Sequence, residues 1–121
     1  MVRSDGLASP RLQLWRITDR ATFQALRTGR RARRGAISVT YLPGAAPPRV
    51  GFAVGKGAGG AVVRNRIRRR LRAGLRELHG RGALPPGAYL VGGSGDLARL
   101  PWSTLCADLE AAVTAATEGA P

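Results

Sequence analysis

Ala61-Val62-Val63-Arg64-Asn65-Arg66-Ile67-Arg68-Arg69-Arg70-Leu71-Arg72 is the most informative stretch of this 121-residue chain. Six of the nine residues from Arg64 to Arg72 are arginine, and none is acidic. At about 100° per residue, Val63, Ile67, Leu71, Gly74, Leu75 and Leu78 gather on one side of a helix expected from Ala61 to about Leu78. Arg66, Arg68, Arg69, Arg72 and Arg76 cover the remaining circumference, with Asn65 among them. Such a helix docks on a sheet through its apolar stripe and aims guanidinium groups outward. Like charges three and four residues apart repel by about a few tenths of a kcal/mol per pair. Glu77 is the one nearby counter-charge in the sequence. A chain that accepts this repulsion implies an anion that relieves it. The plainer reading, a solvated basic face, suits helices that mix Lys with Glu. A membrane-surface helix usually carries Trp or Phe in its apolar stripe, and this stripe is aliphatic.

The charge of the whole chain points the same way. Twenty basic residues face seven acids, and nineteen of the twenty are Arg, with Lys56 the sole lysine. Residues 1–81 hold 19 basic and 3 acidic side chains (+16), whereas residues 82–121 hold 1 basic and 4 acidic (−3). Solubility alone requires no such segregation. A polyanion partner does, because phosphate contacts release condensed counterions. Guanidinium also binds phosphate bidentately and stacks on bases. Biased genome composition accounts equally well for Arg over Lys, but not for the net charge. The length and the 44% apolar content suit one domain over 1–121, with an ordered core of about 11–116 between a loose N-terminal arm and a frayed tail from Thr117. No apolar run approaches the roughly 20 residues that span a bilayer, and residues 1–10 do not resemble a signal peptide. A soluble, cytoplasmic protein without a membrane or an obligate protein partner is expected. Cys106, the one cysteine, reads as a packed thiol.

Around the arginine helix, turn residues divide the chain. A first helix is expected from Thr18 or Asp19, either able to cap it, to about Thr28, with Gly29 as its stop. A basic link carrying Arg27, Arg30, Arg31, Arg33 and Arg34 follows. Ile37, Val39 and Tyr41 then alternate with Ser38 and Thr40, which predicts a strand over Ala36 to Leu42. Arg49 to Val54 predicts a second strand, and the short loop between the two predicts an antiparallel hairpin. Beyond the arginine helix, Ala88 to Val91 reads as a short third strand that Gly92, Gly93 and Gly95 end. A last helix is expected from Pro101 or Trp102, with Ser103 able to cap it. Leu105, Leu109, Ala112, Val113 and Ala116 fall at helical spacing there. The order α-β-β-α-β-α outlines an α+β fold.

The run from Ala61 to Arg72 resembles the Arg-Asn-Arg signature of the bacterial ribonuclease P protein family. In that family a Ser-Lys-Lys-x-Gly segment precedes the signature at the spacing of Gly55-Lys56-Gly57-Ala58-Gly59 here. The N-terminal helix with a Phe, the basic link, the strands ahead of the motif, Leu84-Pro85-Pro86-Gly87 and a C-terminal helix fit the same plan, so the likeness runs from about Arg11 to Val113. The resemblance implies an α/β sandwich like a domain of ribosomal protein S5, with the motif helix in a left-handed β-α-β crossover. It implies that Lys56, Arg64, Asn65, Arg66, Arg68, Arg69, Arg70 and Arg72 contact a catalytic RNA subunit. It further implies a cleft between the first helix and the sheet for the single-stranded 5′ leader of precursor tRNA. Phe23 and Tyr41 match the cleft positions, although ordinary core packing explains both as well. The chain would then be the accessory subunit of an endoribonuclease whose chemistry, including Mg²⁺ binding, belongs to the RNA, with no catalytic residue and no metal ligand of its own. Departures are local: Gly55 and Gly57 replace Ser and the second Lys, and Ala73 stands where many relatives have Glu. Thr22 replaces the usual Asp before Phe23, whose spacing to Gly29 is one residue short.

The residues offer little for catalysis by the protein itself. A protein nuclease needs paired carboxylates or a His base. The one His, His79, reads as a cation at a helix end, and Asp5, Asp19 and Asp96 are scattered. Gly55-x-Gly57-x-x-Gly60 formally satisfies a dinucleotide-binding fingerprint, but the acid expected about 20 residues on is missing. The remaining alternatives are a non-catalytic ribosomal or tRNA-binding protein of the same fold, or a DNA-binding protein without a helix-turn-helix.

Overall fold

Asp19 opens the first helix as the sequence suggests: its carboxylate accepts hydrogen bonds from the Thr22 amide (2.8 Å) and hydroxyl. Those bonds hold the Asp19 carboxyl below its ordinary pKa. In the computed structural model, which describes residues 15–118, this helix is α1 (Arg20–Ala25), preceded by strand β1 (Trp15–Arg16) and followed by a 3₁₀ turn (Leu26–Thr28). Then come β2 (Arg30–Arg34), β3 (Ile37–Pro43), β4 (Arg49–Ala53), a 3₁₀ turn (Lys56–Ala58) and α2 (Ala61–Gly80). β5 (Gly87–Gly93), a 3₁₀ turn (Gly95–Ala98) and α3 (Trp102–Glu118) complete the order. The arm expected over 1–10 lies outside the described residues. At the other end, Thr117 and Glu118 are still helical.

The five strands form one mixed sheet in the order β1-β4-β5-β3-β2. β4 and β5 are parallel neighbours joined through α2, which makes the β-α-β unit. The expected hairpin between Ala36–Leu42 and Arg49–Val54 is not formed. β5 lies between those two segments, antiparallel to β3 and parallel to β4. The reason is burial. Tyr89 and Val91 face one layer and Ala88 and Leu90 the other, so β5 needs cover on both faces and partners on both edges. Loop length alone does not register that demand. Nor do Gly92 and Gly93 end the strand; they continue it where neighbouring backbone comes too close for a side chain. A Cβ on Gly92 would clash with the Ala53 carbonyl oxygen.

The hairpin that does form joins β2 to β3 through Gly35, whose φ of 56° suits a two-residue turn. β2 is the segment expected to be a link. Arg30-Arg31-Ala32-Arg33-Arg34 lacks apolar alternation because it is the sheet's outer strand, where exposed charges discourage edge-to-edge pairing.

The two apolar stripes read from the sequence become the main core. Ile67, Leu71, Gly74, Leu75 and Leu78 of α2 are buried, as are Leu105, Leu109, Ala112, Val113 and Ala116 of α3. They pack on Ile37, Val39, Tyr41, Val50, Tyr89 and Val91. α2 and α3 touch closely at Gly74, where a Cβ would lie 2.8 Å from Leu109 Cδ2. Side chains of alternate residues point to the other face, where Ile17, Leu26 and Ala88, with Leu42 and Leu90, form a smaller core under α1. α3 begins at Trp102, so Ser103 falls inside its first turn rather than at its cap.

Candidate nucleic-acid interface

α2 carries the arginines on three sides of one apolar stripe. Its docking residues fix the helix against the sheet, so the guanidinium groups spread over one flank, the outer surface and the opposite flank. Lys56 stands exposed in the 3₁₀ turn ahead of the helix. Arg64 is half-buried, with its Nε shielded from solvent and without a hydrogen-bond partner. Asn65 is exposed and accepts a 2.8 Å hydrogen bond from Arg68. Arg69 is exposed and makes no hydrogen bond or ion pair with the described residues.

The two flanks differ. On one, Arg66 donates from Nε to the Ala98 carbonyl at 2.9 Å, which leaves its terminal nitrogens available. Arg70 donates from both terminal nitrogens to the carbonyls of Leu97 and Leu100. Arg70 is therefore a brace between α2 and the 3₁₀ turn before α3, with its Nε–H and a second N–H on each terminal nitrogen left over. Hydrogen bonds from a charged donor are worth about 1.5–3 kcal/mol. Arg70→Ala should lower stability by about 2 kcal/mol in urea unfolding, whereas Arg69→Ala should change it by less than about 0.5 kcal/mol. Equal effects from both would remove the distinction.

On the other flank, Arg68 and Arg72 border a cavity of about 230 Å³ with Arg16, Ile17, Phe23, Val50, Gly51 and Phe52. Phe23, 40% exposed, lies over Gly51, where a Cβ would meet its ring at 2.9 Å. Arg72 sits over the Phe52 ring, 5.3 Å from the centroid, in cation–π range. Burial first, then repulsion from Arg76, Arg16 and Arg68, lowers the Arg72 guanidinium below its ordinary pKa. It stays charged at neutral pH. Crowded cations beside two aromatic rings favour an incoming anion with a flat base. Among the described residues, the ion pairs are Arg49–Asp19 and Arg81–Glu110, both 3.1 Å, and neither involves an arginine of this cavity.

Tyr41 does not share this cavity. Its strand alternation puts it with Ile37 and Val39 on the α2–α3 side of the sheet, 5% exposed, opposite the layer of Phe23. Its hydroxyl donates to the Pro86 carbonyl at 2.6 Å, and its ring packs against Tyr89 in a tilted arrangement, 4.9 Å between centroids and 40° between planes. Burial raises the pKa of both tyrosines. Tyr41 is a core residue. Two site features lie outside the sequence reading: Arg16 in the cavity and Trp102 beside Arg66, Arg69 and Arg70. Neither has a local signal, because chain distance hides each juxtaposition.

A family model described as Ribonuclease P matches residues 13–117. The ribonuclease P protein component of Thermobifida fusca (strain YX) is 46% identical over 121 residues, covering 92% of this chain and 80% of that protein. That of Thermus scotoductus is 47% identical over 91 residues, 75% of this chain and 52% of the other, so this chain spans about half of the Thermus protein. The solved structure of the Staphylococcus aureus RNase P protein has the same fold, with a TM-score of 0.71 at 22% identity over 86% of this chain and 96% of that one.

Proposed function

The chain belongs to the ribonuclease P protein family, and from that premise we propose that it is the protein subunit of a bacterial ribonuclease P. In this reading it binds the catalytic RNA subunit and the 5′ leader of precursor tRNA, and so promotes endonucleolytic maturation of the tRNA 5′ end. The observation that carries the reading is the α2 surface: Arg68, Arg69 and Arg72 present guanidinium groups to which no carboxylate of the described residues is bound. Folded RNA supplies the missing anions. Lys56 adds a phosphate contact at the helix entrance, where unpaired backbone N–H groups already favour negative charge.

The cavity between α1, β4 and α2 suits a single strand. Phe23 offers an exposed ring to an unpaired base, while Arg16, Arg68 and Arg72 reach its phosphates. Chemistry is assigned to the RNA. Mg²⁺ ions held by that RNA would supply activated water there. Among the described residues no group of three or more His, Cys, Asp or Glu is placed to hold such an ion. The chain's own part is to screen phosphate repulsion and align the leader. The expected setting is the cytoplasm, and no helix among the described residues is long and apolar enough to cross a membrane.

Phe23→Ala tests the leader contact. It should weaken binding of precursor tRNA to the reconstituted holoenzyme by roughly 1–3 kcal/mol, with mature tRNA nearly unaffected. Equal losses for the two RNAs would return Phe23 to a packing role.

A further inference from the structure

On the far side of α2 from the Phe23 cavity, Trp102 opens α3 with 41% of its surface exposed. It borders a shallow depression of about 290 Å³ whose other walls are Arg66, Arg69, Arg70 and Ala73. A large indole left in water needs a reason, and its neighbours suggest one. No guanidinium of the described residues covers its face, in contrast to Phe52, which Arg72 occupies. Arg70 and Arg66 are tied to the carbonyls of Leu97, Ala98 and Leu100, which fixes the wall next to the indole before any ligand arrives. Arg69 is exposed and makes no hydrogen bond with the described residues. No acid lines the depression, and the small Ala73 leaves its floor open.

We propose that Trp102 is a stacking platform for an unpaired nucleotide of the RNA bound along α2, with Arg66 and Arg69 holding the adjoining phosphates. The proposal rests on the reading of α2 as an RNA-binding helix and extends the contact to a second, separate strand segment. Base stacking accepts any nucleobase, so the site selects an unpaired base rather than a sequence.

The test uses the full chain and a bacterial ribonuclease P RNA. Trp102→Ala should weaken binding roughly five- to a hundredfold while the slope of log affinity against log salt stays the same, because no charge is lost. Trp102→Phe should recover most of that loss. Trp15→Phe leaves Trp102 as the only indole, and its emission should be quenched when the RNA binds. Wild-type affinity in Trp102→Ala, with Arg68→Ala still weakened, would overturn the platform and leave the RNA-binding helix standing. Unchanged affinity in both variants would remove the helix reading and the platform with it. Unquenched Trp102 emission in a saturated complex would also overturn the proposal, without relying on the alanine variant folding.

Discussion

Raising monovalent salt from about 50 to about 200 mM should weaken binding of this chain to a bacterial ribonuclease P RNA roughly 250- to 1,000-fold. The magnitude follows from the cations the fold leaves free. Among the described residues, Lys56, Arg66, Arg68, Arg69, Arg72 and Arg76 keep unbonded charged nitrogens on or just ahead of α2, whereas both terminal nitrogens of Arg70 donate to carbonyls. About six phosphate contacts give a slope of log affinity against log salt near −4 to −5. Filter binding across a salt series measures it. A slope near zero would mean that these arginines do not face phosphates. Because each free arginine contributes about one contact, Arg68→Ala or Arg66→Ala should make the slope shallower by about 1.

Leu71→Ala should have the largest effect on the fold itself. Leu71 is fully buried between α2 and the sheet, on the same stripe as Ile67, Leu75 and Leu78. Truncation there removes transfer energy and leaves a cavity, at a cost of about 2–5 kcal/mol. Domains of this size have total stabilities of about 5–15 kcal/mol, so the variant should be partly unfolded at 37 °C. Urea unfolding followed by circular dichroism gives the number. A loss below about 1 kcal/mol would mean that α2 is not anchored by this stripe.

Both long helices are legible in the sequence because their apolar residues repeat at helical spacing and their other faces are polar. Every stripe residue read for α3 is buried, and of those read for α2 only Val63 stays half-exposed. Asp19 is legible as a cap because short polar side chains complete a helix start locally. Strand pairing is less legible, since it depends on what covers each face. The loop between Pro43 and Arg49 is short, yet β5 enters between the strands it joins because only the centre of the sheet covers both its faces. β2 escapes notice for the opposite reason: an outer strand of arginines carries little apolar pattern. For the interface, residue type identifies the helix but not the direction of each guanidinium. Arg70 and Arg69 are neighbours in sequence, and one turns to backbone carbonyls while the other turns to solvent. Tyr41 shows that alternation is the stronger guide. It shares parity with Ile37 and Val39, which places it in the larger core and away from Phe23.

The central claim is that this chain supplies guanidinium groups to a catalytic RNA and leaves bond cleavage to that RNA. Reconstitution at low Mg²⁺ tests it most directly, with cleavage of precursor tRNA measured for the RNA alone, the protein alone and the two together. The expected result is a sharp rise for the pair over the RNA alone and no cleavage by the protein alone. No stimulation by folded protein, or cleavage by the protein without RNA, would contradict it.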